Sequence, residues 1–132
     1  MPEVYVIWPS EGAVGPRGVT SLHATIKACK AEGYANRAAR VRACIYIVIT
    51  SGNNKNAAGV REHYLAEILD VVSPSVKFPA KPGGKGRIDV TFSKTMPILN
   101  GPLKTKLDDM GWGQNNTQFL QGIHEACRSL LP

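Results

Sequence analysis

The stretch from Arg40 to Thr50, Arg-Val-Arg-Ala-Cys-Ile-Tyr-Ile-Val-Ile-Thr, constrains the fold more than any other part of the chain. Read as a strand, it points Val41, Ala43, Ile45, Ile47 and Ile49 to one face and Arg40, Arg42, Cys44, Tyr46 and Val48 to the other, because side chains alternate along an extended backbone. Its second half is apolar on both faces. A strand of that kind belongs in the middle of a sheet covered by helices on at least one face. The apolar run Ala43–Ile49 is also far too short for the roughly 20 residues a membrane helix needs. No membrane partner is therefore expected.

A buried strand needs a domain around it, and the chain is long enough to supply one. It has 132 residues, 43% hydrophobic and 20% charged. That is ordinary globular usage, unlike that of a disordered tail, a collagen-like chain or a disulfide-dense miniprotein. The expectation is a single domain over 1–132, with a core over 3–94 and a C-terminal helical extension over 102–131.

The remaining elements are read from periodicity and punctuation. Val4–Trp8 reads as a strand ended by Pro9, and Ser10–Gly18 as a glycine-rich loop. A helix capped by Thr20 or Ser21 is expected to reach Glu32 and stop at Gly33, with His23, Lys27 and Lys30 on one face. A second helix is expected over Ala57–Val72, where Val60, Tyr64, Leu65, Ile68, Leu69 and Val72 form an apolar stripe. Val76–Phe78 and Arg87–Ser93 read as a hairpin with the basic loop Lys81–Arg87 at its tip. Pro102–Met110 reads as a short helix, and a last helix is expected from Asn115 or Asn116 to Leu131.

The fold class is thus α/β (α+β): a small mixed sheet in β-α-β-α-β-β order with one or two C-terminal helices. Val4–Trp8 and the strand ending at Thr50 form a parallel pair, since a helix joins them. This order of elements resembles that of Alba-type chromatin and RNA proteins and of the C-terminal domain of translation initiation factor three. The likeness is one of element order alone, since Ser51-Gly52-Asn53-Asn54-Lys55 stands where Alba proteins carry a Gly-Arg-Ala turn.

Charge carries the functional reading. Sixteen Lys and Arg against ten Asp and Glu leave a net charge of +6. From Lys27 to Arg61 there are seven bases and one acid, Glu32; from Lys77 to Lys106 there are seven more with Asp89. This uneven distribution is the footprint of a phosphate-binding face; the plain alternative is a basic, solvated surface. Arg40 and Arg42, on one strand face beside Tyr46, would hold phosphates. Lys81, Lys85 and Arg87 would reach out from the hairpin, and Lys55 would mark the entry of the second helix. Arg17, Lys55 and Asn54 would form a candidate phosphate site at the carboxyl edge of the parallel strands, where open α/β sheets bind ligands.

Chemistry beyond binding finds little support. The three cysteines, Cys29, Cys44 and Cys127, form no C-x-x-C and lie in apolar patterns. They are expected to be reduced core thiols in an intracellular, cytoplasmic protein. The N-terminus also lacks the basic start of a signal peptide. His23, His63 and His124 share no metal-ligand spacing, and His23-Ala24-Thr25 is one half of a paired H-x-T signature whose other half is missing. No catalytic residue, metal or cofactor is assigned. The leading expectation is a non-enzymatic nucleic-acid-binding protein, with RNA preferred over DNA. The alternatives are a structural or assembly subunit of a viral particle or ribonucleoprotein, acting as a homo-oligomer or within a larger assembly, and a small phosphoryl- or nucleotide-handling enzyme.

Overall fold

The computed structural model describes residues 2–9, 22–35, 37–80, 82–83, 86–113 and 117–131. Their elements in chain order are β1 (Glu3–Ile7), α1 (Leu22–Ala28), β2 (Lys30–Ala35), α2 (Ala38–Arg42), β3 (Tyr46–Thr50), β4 (His63–Val72), β5 (Arg87–Phe92), β6 (Met96–Pro97), α3 (Gly101–Asp108), β7 (Thr117–Gln121) and α4 (His124–Leu130). The strands form one mixed sheet in the order β2-β5-β4-β3-β1-β7, with β6 added beside β4. The fold is a small mixed α/β domain with a curled sheet and C-terminal helices, and β1 and β3 pair in parallel as expected.

Alternation along the central strands divides the core in two. Tyr5 and Ile7 of β1, with Ile47 and Ile49 of β3, face Leu22 of α1 and Val41 of α2. Val4, Val6, Tyr46 and Val48 face the other way, onto Leu103 and Leu107 of α3 and Cys127 of α4. All five residues of β3 are buried. The sheet is therefore the middle layer between two helical layers, which explains why β3 is apolar on both faces.

Five segments differ from the sequence reading. The strand expected from Arg40 begins only at Tyr46, because Ala38–Arg42 is a helix turn that buries Val41 and packs Ala38 against the core. Arg40, Arg42 and Tyr46 therefore do not share a strand face. The expected helix over Ala57–Val72 is a turn followed by the ten-residue strand β4. Gly59 adopts φ +75, and the Asn56 side chain accepts hydrogen bonds from the Ala58 and Val60 N–H groups. Both stop a helix before it nucleates. The backbone of β4 is then taken up by β3 and β5, which pair with it on either side. With 63–72 as strand, the likeness in element order to Alba-type proteins is not carried by the same segments.

The helix expected to Glu32 ends at Ala28. Cys29 takes φ +52, and the chain continues as β2, with Gly33 (φ +78) inside a bulge rather than at a helix stop. Residues 76–78 form no strand, so there is no hairpin with β5; that strand pairs with β2 and β4 instead. The final helix likewise splits at Gly122 (φ +80) into β7 and α4.

Two side chains hold the loops to this frame. Asp89, 1% exposed, accepts hydrogen bonds from the Gly33 N–H (3.1 Å), the Ser75 hydroxyl (2.6 Å) and the Val76 N–H (3.0 Å). It thereby ties the β2 bulge and the segment after β4 to β5. At the other end of the sheet the Ser51 hydroxyl accepts from the Glu62 N–H and donates to the Asn54 carbonyl, which closes the 51–62 loop on itself.

Candidate functional site

The strand register places the predicted cations in two groups. β3 and β1 start, β4 and β2 finish, and β5 starts at one end of the sheet. Arg40, Arg42 and Arg87 lie at that end. Lys55 and Asn54 come after Thr50 and lie at the opposite end, so the strand-face cations and Lys55 do not form one patch. Arg17, Lys81 and Lys85 lie outside the described residues.

The three arginines are engaged to different degrees. Arg40 is committed: its Nε and Nη2 donate to the Glu3 carboxylate at 2.7 and 2.6 Å, and its guanidinium lies 4.0 Å from the centre of the Phe119 ring. The Arg40 hydrogen bonds push the Glu3 carboxyl down to about 2. Arg42 is exposed and donates once, to the Val71 carbonyl at 3.3 Å. Arg87 donates once, to the Gly33 carbonyl at 3.0 Å. A guanidinium has five N–H donors, so among the described residues Arg42 and Arg87 are each anchored by one contact with most of the fork left over.

Arg37 and Lys77, which the sequence reading did not single out, belong to the same end. Arg37 is the N-cap residue of α2, two positions after β2 ends, and Lys77 sits in the segment that Asp89 ties down. Among the described residues no carboxylate lies within salt-bridge distance of Arg37, Arg42, Lys77 or Arg87. Of the acids nearby, Glu3 is occupied by Arg40 and Asp89 by three donors, whereas Glu32, opposite Asp89 on β2, is half-buried and forms no ion pair among the described residues. Asp70 is exposed on β4.

A second polar cluster escaped the sequence reading. Thr50 and His63 are direct partners across β3 and β4. The Gly52 N–H donates to Thr50 Oγ1 (3.0 Å), the Thr50 hydroxyl lies 2.9 Å from His63 Nδ1, and His63 Nε2 lies 2.6 Å from Asp108 Oδ1. Lys104 Nζ donates to both Asp108 oxygens, at 2.8 and 2.6 Å. Each atom has one consistent role if His63 is neutral and carries its proton on Nε2: Thr50 donates to Nδ1 and Nε2–H donates to Asp108. Arg61 reinforces the joint by donating to the Asp108 and Met110 carbonyls at the end of α3.

The residue types resemble a nucleophile–base–acid relay, but the geometry closes it. Thr50 is 1% and His63 2% exposed, and both ring nitrogens are engaged. A pocket of about 150 Å³ lies alongside, lined by Arg61, Glu62, Tyr64, Pro97 and Lys104 among others, yet neither His63 nitrogen is left for a molecule in it. The cluster joins the β3–β4 pair to α3. Nothing local in the sequence signals it, because Asp108 lies 45 positions after His63.

The cluster makes stability depend on pH. Burial pushes the His63 imidazole below its ordinary value of 6.5, against the pull of Asp108. Below that pH the unfolded chain gains a proton that the folded chain does not, so stability falls on acidification with a slope of up to about 1.4 kcal/mol per pH unit. For Asp108, burial works to raise the carboxyl, but the Lys104 and His63 hydrogen bonds outweigh it and hold it low. Its contribution is lost only at lower pH, as the pH falls through its depressed value. Urea midpoints taken stepwise downward from pH 7 show the loss starting near the ordinary histidine value. His63→Gln, which keeps one donor and one acceptor, removes that first phase; an unchanged profile in the variant refutes the assignment.

The cysteines are core thiols. Among the described residues all three are free, Cys29 being half-buried, and burial pushes Cys44 up to about 11 and Cys127 up to about 12, which keeps those two in the unreactive thiol form. Among the described residues no three or more His, Cys, Asp or Glu side chains gather as metal ligands, and no helix is long and apolar enough to cross a membrane. Comparison with protein-family models, with curated proteins and with solved structures finds no match for this chain.

Proposed function

We propose that this chain is a non-enzymatic nucleic-acid-binding protein, with RNA preferred, that grips phosphates at the sheet end carrying Arg37, Arg42, Lys77 and Arg87. One observation carries the reading: these four cations share one end of the sheet, where the Glu3 and Asp89 carboxylates are already occupied. Uncompensated arginines and lysines on one surface attract polyanions and release their counterions. Arg42 and Arg87, each held by one backbone carbonyl, lose less freedom on binding than unanchored side chains.

Contacts of this kind position a backbone and read no sequence. The expected behaviour is strong salt dependence with little base preference. Each phosphate contact with a single strand contributes about 5-fold to affinity at 0.1 M salt, on a slope of about −0.7 per contact. Arg42→Glu with Lys77→Glu and Arg87→Gln is therefore expected to weaken binding to a single-stranded RNA roughly 100-fold and to flatten the salt slope by about two. Reversing Lys27 and Lys106, which lie on α1 and α3, serves as the control and leaves affinity within a few-fold. Equal losses in the two sets, or no binding by the wild type at low salt, overturn the proposal.

A further inference from the structure

The two edges of the sheet are protected to different extents. A sheet edge presents unpaired N–H and C=O groups, and proteins guard it with charges, bulges or proline. β2, at one edge, carries Lys30, Glu32 and the Gly33 bulge. β7, at the other, is Thr117-Gln118-Phe119-Leu120-Gln121. It has no charge, proline or glycine, and it pairs with β1 at five consecutive positions without a register shift. Among the described residues no strand lies on its outer side.

We propose that two copies of this chain pair through the outer edge of β7, antiparallel about a two-fold axis, so that the sheet continues from one copy into the other. The strand suits pairing with itself. With Phe119 on the axis, Thr117 meets Gln121 of the second copy, Gln118 meets Leu120, and Phe119 meets its own equivalent. No like charges stand opposite one another, and the central aromatic pair is favourable across a sheet.

The charge beside the strand is already balanced. Arg40 stacks over the Phe119 ring, but its guanidinium is paired with Glu3, to which the Gln121 amide also donates at 3.3 Å. The axis therefore brings together two neutral ion pairs rather than two bare cations. The Phe119 ring is also held in place before contact, between Arg40 and Tyr5, whose ring lies 5.2 Å away, so little ordering is left for association to impose. This inference does not depend on nucleic-acid binding.

Sedimentation velocity over micromolar to sub-millimolar protein is expected to show a reversible monomer–dimer equilibrium. Thr117→Lys with Gln121→Lys sets lysine against lysine at two symmetric places and is expected to weaken the dimer by roughly 30-fold or more, while the thermal melt, taken dilute enough that both proteins are monomeric, moves by no more than a few degrees. A wild type that stays monomeric over the whole range refutes the proposal and leaves the edge to some other partner. A dimer with the same dissociation constant in wild type and double-lysine variant also refutes it, because the interface then lies elsewhere.

Discussion

Asp89→Ala is expected to destabilise the protein by about 4–6 kcal/mol, since three hydrogen bonds to a buried charged acceptor are worth about 1.5–3 kcal/mol each and the loss is only partly relieved by water entering. The Gly33 N–H, the Ser75 hydroxyl and the Val76 N–H all lose their acceptor at once. Such a loss rivals the whole stability of a small domain, so the variant melts some 15–25 °C lower or fails to fold. Asp89→Asn separates the two components of the loss. Its amide oxygen replaces Oδ1, which serves Gly33 and Ser75, but its NH₂ then faces the Val76 N–H. About 2 kcal/mol is expected there, and thermal unfolding of the two variants side by side measures both. A melt within a few degrees of wild type in Asp89→Ala contradicts the assignment of this carboxylate as the staple of the β2 bulge and the 73–78 segment.

Gly52→Ala is expected to cost about 3 kcal/mol, more than the 1–2 kcal/mol an L-residue pays merely for the left-handed conformation. Gly52 has φ +61, and a methyl group there would stand 2.2–2.5 Å from three ring atoms of Trp8. The indole cannot swing aside cheaply, because it packs edge-on against Trp112 with ring centres 5.6 Å apart. Gly52 also donates to Thr50 Oγ1, at the head of the His63 cluster, so displacing its backbone disturbs that cluster too. A double-mutant cycle makes the cause visible. In a Trp8→Ala background the clash is gone, and Gly52→Ala is expected to cost only the backbone part, with coupling of about 1–2 kcal/mol. Strictly additive losses would mean that the ring is not what the methyl meets.

How far the fold was legible depended on whether a segment carried its own information. Tyr46–Thr50 did: five residues apolar on both faces have few homes other than the centre of a covered sheet, and all five are buried there. Glu3–Ile7, its parallel pairing with that strand, Arg87–Phe92 and the helix at Gly101–Asp108 were legible for similar reasons. His63–Val72 was not. Tyr64, Leu65, Ile68 and Val72 match a helical stripe as well as a strand apolar on both faces, and periodicity alone does not separate the two. Gly59 was the local clue against a helix, but the outcome rests on β3 and β5, which both offer β4 unpaired backbone groups.

The candidate site divides in the same way. That the chain is basic, and where along it the bases fall, is visible in the letters. Which of them remain available is not, because Arg40 and Arg42 look equivalent two positions apart. Folded into a helical turn, Arg40 reaches Glu3 and Arg42 reaches Val71.

The sequence by itself determined the α/β class, the central strand, the positive charge and the thiol character of the cysteines, because burial and charge are properties of residue types and their local spacing. Only the tertiary structure decided that 63–72 is a strand, that Thr50, His63, Asp108 and Lys104 meet, and that Arg42 and Arg87 share one end of the sheet while Lys55 lies at the other. Those outcomes depend on partners tens of residues away, and hydrogen bonds and ion pairs between such partners leave no periodic trace along the chain.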